Sequence, residues 1–418
     1  MGSRVSLIEG ETLSLYAEWS KWNEIADFSY TVEDDSVTIT GYSGNRSILS
    51  IPEYIEGKKV EYIAAEAFVG GGFETVVLPK SIKQIERRAF VNCALSKLYL
   101  FDNIEEIFDD CFVNCAEFST LHINAVEPPR YMDKDRHSNM ADKYDILIEN
   151  QHKKKMILYS GSSGYFSVDT KQMEEVFRDY VCINMAVNGY FNGIVQTEIM
   201  NHYLNEGDVF IHVPESMGEY QLFNSYDMDD TRLYMALEAN YDLLSLVDIR
   251  NIDRELNGFN MFNKTREKKE GQSYNDYVAY IDDRGNYAEY RKPYGKDEAL
   301  SDEADIELDR FEDAVAMQKL NAYYTNLTKM GVELYLCGAS INRHALEALY
   351  PEDYMGKAVQ YDETFLAATG HKYPLIVPLT ECVYDGKDFF DSDFHLSSEL
   401  TKIHTDKIIQ GLKKNGII

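Results

Sequence analysis

A 22-residue repeat between residues 60 and 126 is the feature that most constrains how this chain can fold. Two apolar positions recur at this spacing, and they are Ile63, Ile85 and Ile107, then Phe68, Phe90 and Phe112. A short strand-like run follows each phenylalanine. A fixed period of this length is typical of a stacked solenoid, in which each unit buries its apolar face only against its neighbours. We therefore predict a short solenoid here.

The ends of such an array need caps. Residues 28–60 can supply one, because the apolar runs 30–32 and 37–40 flank the acidic turn 33–36, which is a hairpin signal. With its recurring Ala-Phe and Asn-Cys positions, the stretch 28–126 resembles the BspA-like leucine-rich repeats of bacterial surface and secreted proteins. The resemblance implies a protein or polysaccharide partner at the repeats and a secreted or cell-surface location, although a purely structural capping role is an equal alternative.

The six cysteines show no paired short spacing of the kind that binds zinc, so we expect no metal site. Cys93 and Cys115 occupy equivalent repeat positions, which favours small buried side chains over disulfides. The formal net charge of −30 repels phosphate backbones, and nucleic-acid binding is therefore disfavoured.

No apolar run is long enough to span a bilayer, so we expect no membrane insertion. The start, residues 1–4, lacks the apolar core of a signal peptide. Either the protein is intracellular or the sequence begins after a removed signal, and the sequence does not separate these two.

The second half of the chain follows a different pattern. Residues 1–27 form an amino-terminal segment, and 127–150 are predicted to be a linker between the repeats and a domain at 151–418. Apolar runs at 156–159, 181–185, 209–213, 332–336 and 375–377 alternate there with helical patterns at 172–180, 233–247, 316–330 and 400–413. This alternation predicts an α/β fold with a parallel sheet and helices on both faces. The acidic, tyrosine-rich stretch 253–315 fits neither core, and we predict an insertion forming a lid or wall beside the strand ends.

Two short segments carry the residue types of a serine nucleophile and its base. Ser162 and Ser163 follow the first strand and precede a predicted helix, and Asp391, Asp393 and His395 precede the last helix. A hydroxyl, an imidazole and a carboxylate supply a nucleophile, a general base and an orienting group. Ligands bind at the carboxyl ends of parallel strands, where both segments are expected.

These segments and the fold pattern resemble an SGNH/GDSL-type hydrolase domain of a divergent bacterial branch. The resemblance implies a flavodoxin-like three-layer α/β/α domain and an acyl-serine mechanism without a cofactor. The run 160–169 aligns with the family's opening motif and places the nucleophile at Ser162, with Ser163 as the alternate. The run 389–397 fits the closing motif, with His395 as base and Asp391 as orienter. Asp393 competes for that role, because position 392, where the wider family has an acidic residue, is a serine.

The middle motifs of the family depart from its pattern. Gly161, Ala186 and Asn188 are the residues expected to surround the oxyanion or substrate, with Ala186 standing where the family has a glycine. Glu215 stands where the family has an asparagine whose side chain contacts the oxyanion. A carboxylate there repels an oxyanion unless it is protonated, and Glu215 could instead hold a substrate hydroxyl or help to position His395.

The sequence thus leads to two hypotheses. The first is an esterase, deacetylase or O-acyl transferase that acts on an acylated glycan or a small ester, a substrate class implied by the resemblance. The alternative is a non-catalytic surface protein that keeps the SGNH fold and binds a glycan or a protein through the repeats or an acidic cleft.

Overall fold

The structure, a computed structural model, describes residues 24–108, 110–126, 139–187, 193–215, 233–234, 237–238, 240–247, 252–265, 281–301, 306, 308 and 314–418. These residues form two compact units. The first unit contains the described residues of 24–126, 233–234 and 240–265. The second contains those of 139–215, 237–238 and 281–418.

The described residues of the first unit form ten short strands. They are β1 Phe28–Glu33, β2 Ser36–Tyr42, β3 Ile48–Ser50, β4 Tyr54–Ile55, β5 Lys58–Ile63, β6 Thr75–Val77, β7 Gln84–Ile85, β8 Lys97–Phe101, β9 Glu106–Ile107 and β10 Thr120–Asn124. One sheet has the order β1-β2-β5-β7-β9, with β4 paired to β5, and a second has the order β10-β8-β6-β3. The predicted hairpin is the antiparallel pair β1–β2, and the repeat strands pair in parallel.

The sequence period reappears as a structural period. Ile63 pairs with Ile85, and Ile85 pairs with Ile107, in parallel register. The ring of Phe90 stacks between those of Phe68 and Phe112, with centroid separations of 4.9 and 5.0 Å and interplanar angles of 10° and 2°. The predicted repeat array is confirmed, because residues 22 apart lie one layer apart.

The recurring Asn-Cys pairs have two separate roles. Asn92 and Asn114 adopt the left-handed backbone region, with φ of 58° and 62°, where asparagine is among the few side chains tolerated at low cost. The thiols of Cys93 and Cys115 donate to the carbonyl oxygen of the preceding repeat's phenylalanine, at 3.0 and 3.2 Å. All six cysteines lie in the described part of the chain, and none forms a disulfide there.

Helix α5 (Ile252–Thr265) belongs to the repeat unit, where it packs against the edge strand β9. The Ile107 N–H donates to Asn260 Oδ1, and Asn260 Nδ2 donates to the Ile107 carbonyl, both at 3.2 Å. Asn263 Nδ2 adds a bond to the Ile104 carbonyl at 3.2 Å. The Asn260 amide therefore satisfies the backbone hydrogen bonds of β9 as a further strand would. This protects the edge strand from pairing with another chain.

The second unit is built around one parallel sheet. Its main strands are β11 Lys155–Ser160, β12 Val181–Asn184, β13 Val209–Val213, β14 Glu333–Cys337 and β16 Leu375–Val377, and the short strands β15 Ile341–Asn342 and β17 Val383–Tyr384 pair separately. Its helices are α1 Asn139–Glu149, α2 Ser162–Ser167, α3 Thr170–Val176, α4 Gly193–Asn201, α6 Ala314–Lys329, α7 Arg343–Leu349, α8 Tyr354–Ala368 and α9 Ser398–Lys414. The predicted mixed α/β architecture with a parallel sheet is confirmed in this coarse form.

The main sheet has the order β12-β11-β13-β14-β16, and all four strand pairings are parallel. Every residue of β11 and β13 is buried. Near-continuous apolar runs are typical of strands covered on both faces. Helices α3, α6 and α9 pack on strands β12, β14 and β16 respectively.

Three parts of the chain differ from the sequence-based boundaries. Residues 139–149 of the predicted linker form α1, because Met140, Tyr144 and Leu147 recur at helical spacing and are buried. Within the predicted helix at 233–247, Tyr241–Leu246 form a 3-10 turn that lies in the repeat unit against β10. Residues 253–265, at the start of the predicted insertion, also belong to the repeat unit, where hydrogen bonds to the edge strand β9 hold them. Within the described ranges, no helix is long and apolar enough to cross a membrane.

Candidate functional site

Ser162 lies directly after the central strand of the parallel sheet. The chain runs from β11 to β12 on one side and then to β13 on the other, and a crevice opens at the carboxyl ends of strands where the order reverses in this way. Ser160 holds the turn, because its Oγ donates to the Val213 carbonyl at 2.7 Å and accepts from the Gly164 N–H at 3.2 Å. Ser162 is therefore the first residue of α2, at the carboxyl end of a rigid buried strand.

The structure brings Ser162, His395 and Asp391 into one chain of hydrogen bonds. His395 Nε2 lies 3.0 Å from Ser162 Oγ, and His395 Nδ1 lies 2.7 Å from Asp391 Oδ1. The imidazole also stacks on the Phe166 ring, with centroids 4.3 Å apart. These distances satisfy the geometric requirement for a general base between a nucleophile and an orienting carboxylate.

A short closed loop holds Asp391 and His395 in this arrangement. Phe389 and Leu396 form an antiparallel bridge, and the Phe390 N–H donates to the His395 carbonyl at 2.8 Å. Inside the loop, Ser392 Oγ accepts from the backbone N–H of His395 at 3.2 Å. The serine at position 392, which departs from the resembled motif, therefore supports the turn that places the imidazole.

The two alternate residues lie in other environments. Asp393 is buried, and its carboxylate accepts from the backbone N–H groups of Leu300 and Ser301 at 2.9 and 3.1 Å and from Asn342 Nδ2 at 2.6 Å. In the part of the chain that the structure describes, the Ser163 hydroxyl has no hydrogen-bond partner. The imidazole therefore contacts Ser162 and Asp391 rather than Ser163 and Asp393.

Glu215 lies beside Ser162. Its Oε1 accepts from the Ser163 N–H at 2.6 Å and lies 3.5 Å from Ser162 Oγ. Gly161 makes room for this carboxylate, because a Cβ at position 161 would lie 2.3 Å from the Glu215 carboxyl carbon. Glu215 is buried, so the carboxylate is part of the floor of the site and not a solvated surface group.

The backbone at Ala186 is held by buried polar side chains. The Ala186 N–H donates to Asn184 Oδ1 at 3.0 Å, and Lys143 Nζ donates to the Ala186 carbonyl. Lys143 Nζ lies 4.0 Å from the centre of the Tyr165 ring, and burial lowers the pKa of this amine well below its usual range. Asn188, the remaining residue predicted for the oxyanion or substrate region, lies outside the described residues.

Arg291 anchors the closed loop that carries Asp391 and His395. The guanidinium donates to the Leu396 carbonyl and to Thr401 Oγ1, each at 2.9 Å, and lies 5.7 Å from the Phe166 ring centre. Burial lowers the pKa of this guanidinium. The guanidinium donors of Arg291 therefore anchor the residue that follows His395.

The described part of the predicted insertion in this unit, 281–301, forms a wall beside the strand ends. Ile281 and Tyr287 form an antiparallel bridge around the turn at 282–286, and the Asn184 N–H donates to the Arg284 carbonyl at 2.8 Å. The Tyr287 ring contacts the Phe166 ring, with centroids 4.9 Å apart. This wall therefore lies next to the ring on which His395 stacks.

The sequence did not indicate several of the residues that support the candidate site. Lys143 lies in the predicted linker, and Phe166 lies within the opening motif, where no role was predicted for it. Asn184 immediately precedes the loop that contains Ala186. Only the helical spacing of apolar residues around Lys143 could have placed that lysine in a buried position. Over the residues described, no group of three or more His, Cys, Asp or Glu side chains is arranged to hold a metal ion.

Comparison with known proteins identifies the repeats. The family described as "BspA type Leucine rich repeat region" matches residues 46–134, which begin after the β1–β2 hairpin. This region has BspA-type leucine-rich repeats, as the sequence predicted, although the match is shifted from the predicted range 28–126. No curated protein matches the chain.

Three solved structures share local similarity. The T. pallidum leucine-rich repeat protein TpLRR is 24% identical over 33% of this chain, with a TM-score of 0.24, and this chain spans 60% of its length. A leucine-rich repeat protein from Bacteroides capillosus ATCC 29799 is 16% identical over 24% of this chain and 97% of its own, with a TM-score of 0.20. A Streptococcus pneumonia protein assigned as a platelet activating factor is 10% identical over 65% of this chain and 92% of its own, with a TM-score of 0.31. Because all three TM-scores are low, no functional conclusion follows from them.

Proposed function

We propose that this protein is a serine-dependent acyl-transfer enzyme of the SGNH type, an esterase, deacetylase or O-acyl transferase that acts on an acylated glycan or a small ester. The observation that carries the proposal is the hydrogen-bond chain from Asp391 through His395 to Ser162, with contacts of 2.7 and 3.0 Å. The strand order β12-β11-β13-β14-β16 supports it, because the order second-first-third-fourth-fifth is typical of flavodoxin-like sheets.

In the proposed reaction, Ser162 Oγ attacks the acyl carbonyl while His395 Nε2 takes the hydroxyl proton. Asp391 holds the Nδ1–H tautomer and stabilises the imidazolium. The imidazolium then protonates the leaving alkoxide, and an acyl-serine remains. Water or a sugar hydroxyl, deprotonated by the same imidazole, attacks the acyl-serine, and the imidazolium returns the proton to Ser162 Oγ as it leaves.

Steady-state hydrolysis of p-nitrophenyl acetate tests this proposal. We expect Ser162→Ala and His395→Ala each to lower kcat/KM by about 10³-fold or more. Ser163→Ala is the matched control, because it removes the neighbouring hydroxyl and keeps the backbone N–H, and we expect it to retain activity within a few-fold. Full activity of Ser162→Ala would refute the mechanism.

A second candidate function is supported by the repeat match. BspA-type repeats over residues 46–134 favour a binding role for the first unit, with a protein or polysaccharide as partner. In this alternative the second unit is a non-catalytic scaffold. Absence of serine-dependent turnover, together with partner binding that survives Ser162→Ala, is the result that favours it.

A further inference from the structure

We propose that Glu215 selects acyl groups that carry a positive charge next to their carbonyl, so that the preferred substrates of this site are aminoacyl esters. The inference rests on the proposed function and specifies its substrate class. It follows from the position of one carboxylate relative to the nucleophile and to the backbone donors around it.

The Glu215 carboxylate disfavours an uncharged acyl group. A negative oxygen develops on the acyl carbonyl during attack by Ser162 and needs donors within about 3 Å. The Ser163 N–H already donates to Glu215 Oε1 at 2.6 Å, and the Ala186 N–H donates to Asn184 Oδ1 at 3.0 Å. With a simple acyl ester, a carboxylate and an oxyanion therefore compete for the same donor and repel one another.

An ammonium group on the acyl chain reverses this effect. In an aminoacyl-serine the amino nitrogen lies three bonds from Oγ, at a separation of about 3 Å. Glu215 Oε1 lies 3.5 Å from Ser162 Oγ, so an ammonium in that position is within reach of a charge-assisted hydrogen bond. By engaging the carboxylate, the ammonium leaves the Ser163 N–H available to the oxyanion.

The contacts place the charge on the acyl side of the ester. The leaving alcohol must lie near His395, which protonates it, and His395 contacts Ser162 Oγ through Nε2. Glu215 instead contacts the Ser163 N–H, and Gly161 admits its carboxylate there. A cation on the acyl group therefore reaches Glu215, whereas a cation on the alcohol lies on the imidazole side. The formal net charge of −30 further favours the approach of cationic substrates.

The test compares glycine ethyl ester with ethyl propionate, which differ only by an ammonium in place of a methyl group. Hydrolysis by the full chain is followed at about pH 6.5, where the amine of the glycine ester is protonated. For the wild-type protein we expect kcat/KM to be about tenfold to a hundredfold higher for the glycine ester. For Glu215→Gln, which keeps the side-chain shape, we expect this ratio to fall by about the same factor.

Two further variants make the result specific. Gly161→Ala adds a Cβ that displaces the carboxylate, and we expect it to lower the same ratio. Glu347→Gln removes one charge from an Arg343 ion pair in α7, and the ratio is expected to be unchanged. Acetylcholine tests a cation on the alcohol side, and we expect the ratio of its kcat/KM to that of ethyl acetate to be insensitive to Glu215→Gln.

The possible results distinguish failure of the aminoacyl assignment from failure of the serine mechanism. An equal ratio in wild type and Glu215→Gln, or a Glu215-dependent preference for acetylcholine, overturns the assignment of an aminoacyl substrate while leaving the serine mechanism intact. Failure of the wild type to hydrolyse any of the esters, together with no fluorophosphonate adduct on Ser162, overturns the proposed function itself and the inference with it.

Discussion

Replacing each of the two aspartates beside His395 separates a catalytic role from a structural one. Asp391 contacts the imidazole at 2.7 Å, and 36% of its side chain is exposed. Asp393 is 2% exposed and accepts from three N–H groups in its surroundings. Asn is the matched replacement at both positions, because it preserves shape and removes only the charge and one acceptor.

The structure gives different magnitudes for the two changes. Asp391→Asn weakens the hold on the imidazole tautomer, and we expect kcat/KM to fall by about 10²- to 10⁴-fold. Stability should change by less than about 1 kcal/mol, since exposed pairs contribute little. Asp393→Asn turns an NH₂ group toward buried donors and leaves at least one N–H unsatisfied, at a cost of about 3 kcal/mol. That cost lowers the Tm by about 10 °C for a unit of this size.

The assay pairs kcat/KM for p-nitrophenyl acetate with the Tm of the same preparation. We expect Asp391→Asn to lose activity at an unchanged Tm, and Asp393→Asn to lose Tm while the folded fraction stays active within about tenfold. If Asp393→Asn were inactive at an unchanged Tm and Asp391→Asn were active, the assignment of the orienting carboxylate would be reversed.

Three further predictions concern stability. Asn260→Leu leaves both backbone groups of the edge strand β9 unsatisfied, and we expect urea unfolding of the repeat unit to show a loss of about 3 kcal/mol; a smaller loss than for Asn263→Leu would contradict this. Burial lowers the pKa of His122 to about 4, so the unfolded chain binds a proton that the folded unit does not, and stability should fall as pH falls from about 6.5 to 4. His122→Phe, which keeps a ring on Tyr99, should reduce that loss in acid denaturation. Burial raises the pKa of Asp362 to about 7, so the folded state loses stability as pH rises from about 4 to 7, and Asp362→Asn should raise the Tm most at about pH 8.

The repeat array was predictable because a solenoid converts a sequence period directly into a contact. Phe68, Phe90 and Phe112 stack because each repeat contacts only its neighbours, so equal spacing in sequence becomes equal spacing in space. The main strands of the second unit were also placed from their apolar runs. Burial on both faces makes such runs almost uninterrupted.

Long-range pairing was not predictable from local patterns. Asn260 contacts Ile107 across 153 positions, and nothing near Asn260 indicates that its amide completes a sheet edge. Helix α1 was not predicted, because the charge-rich residues before it indicated a linker. Its Lys143 is buried, whereas the sequence alone assigns a lysine side chain to solvent.

The candidate site was partly predictable. Ser162, His395 and Asp391 were singled out from the resemblance, and the structure brings these three side chains together, while their catalytic role stays a prediction. The position of Glu215 could not be obtained from its sequence neighbours. Its contact with the Ser163 N–H depends on the pairing of β11 with β13 and on the space left by Gly161.

Labelling with a fluorophosphonate, followed by peptide mass spectrometry, tests the central claim most directly. The reagent forms a stable adduct only with a serine whose hydroxyl is activated by a neighbouring base. We predict a single adduct on Ser162 that is lost in His395→Ala and retained in Ser163→Ala. No adduct on the folded protein, or an adduct on Ser163 instead, would contradict the proposed serine mechanism.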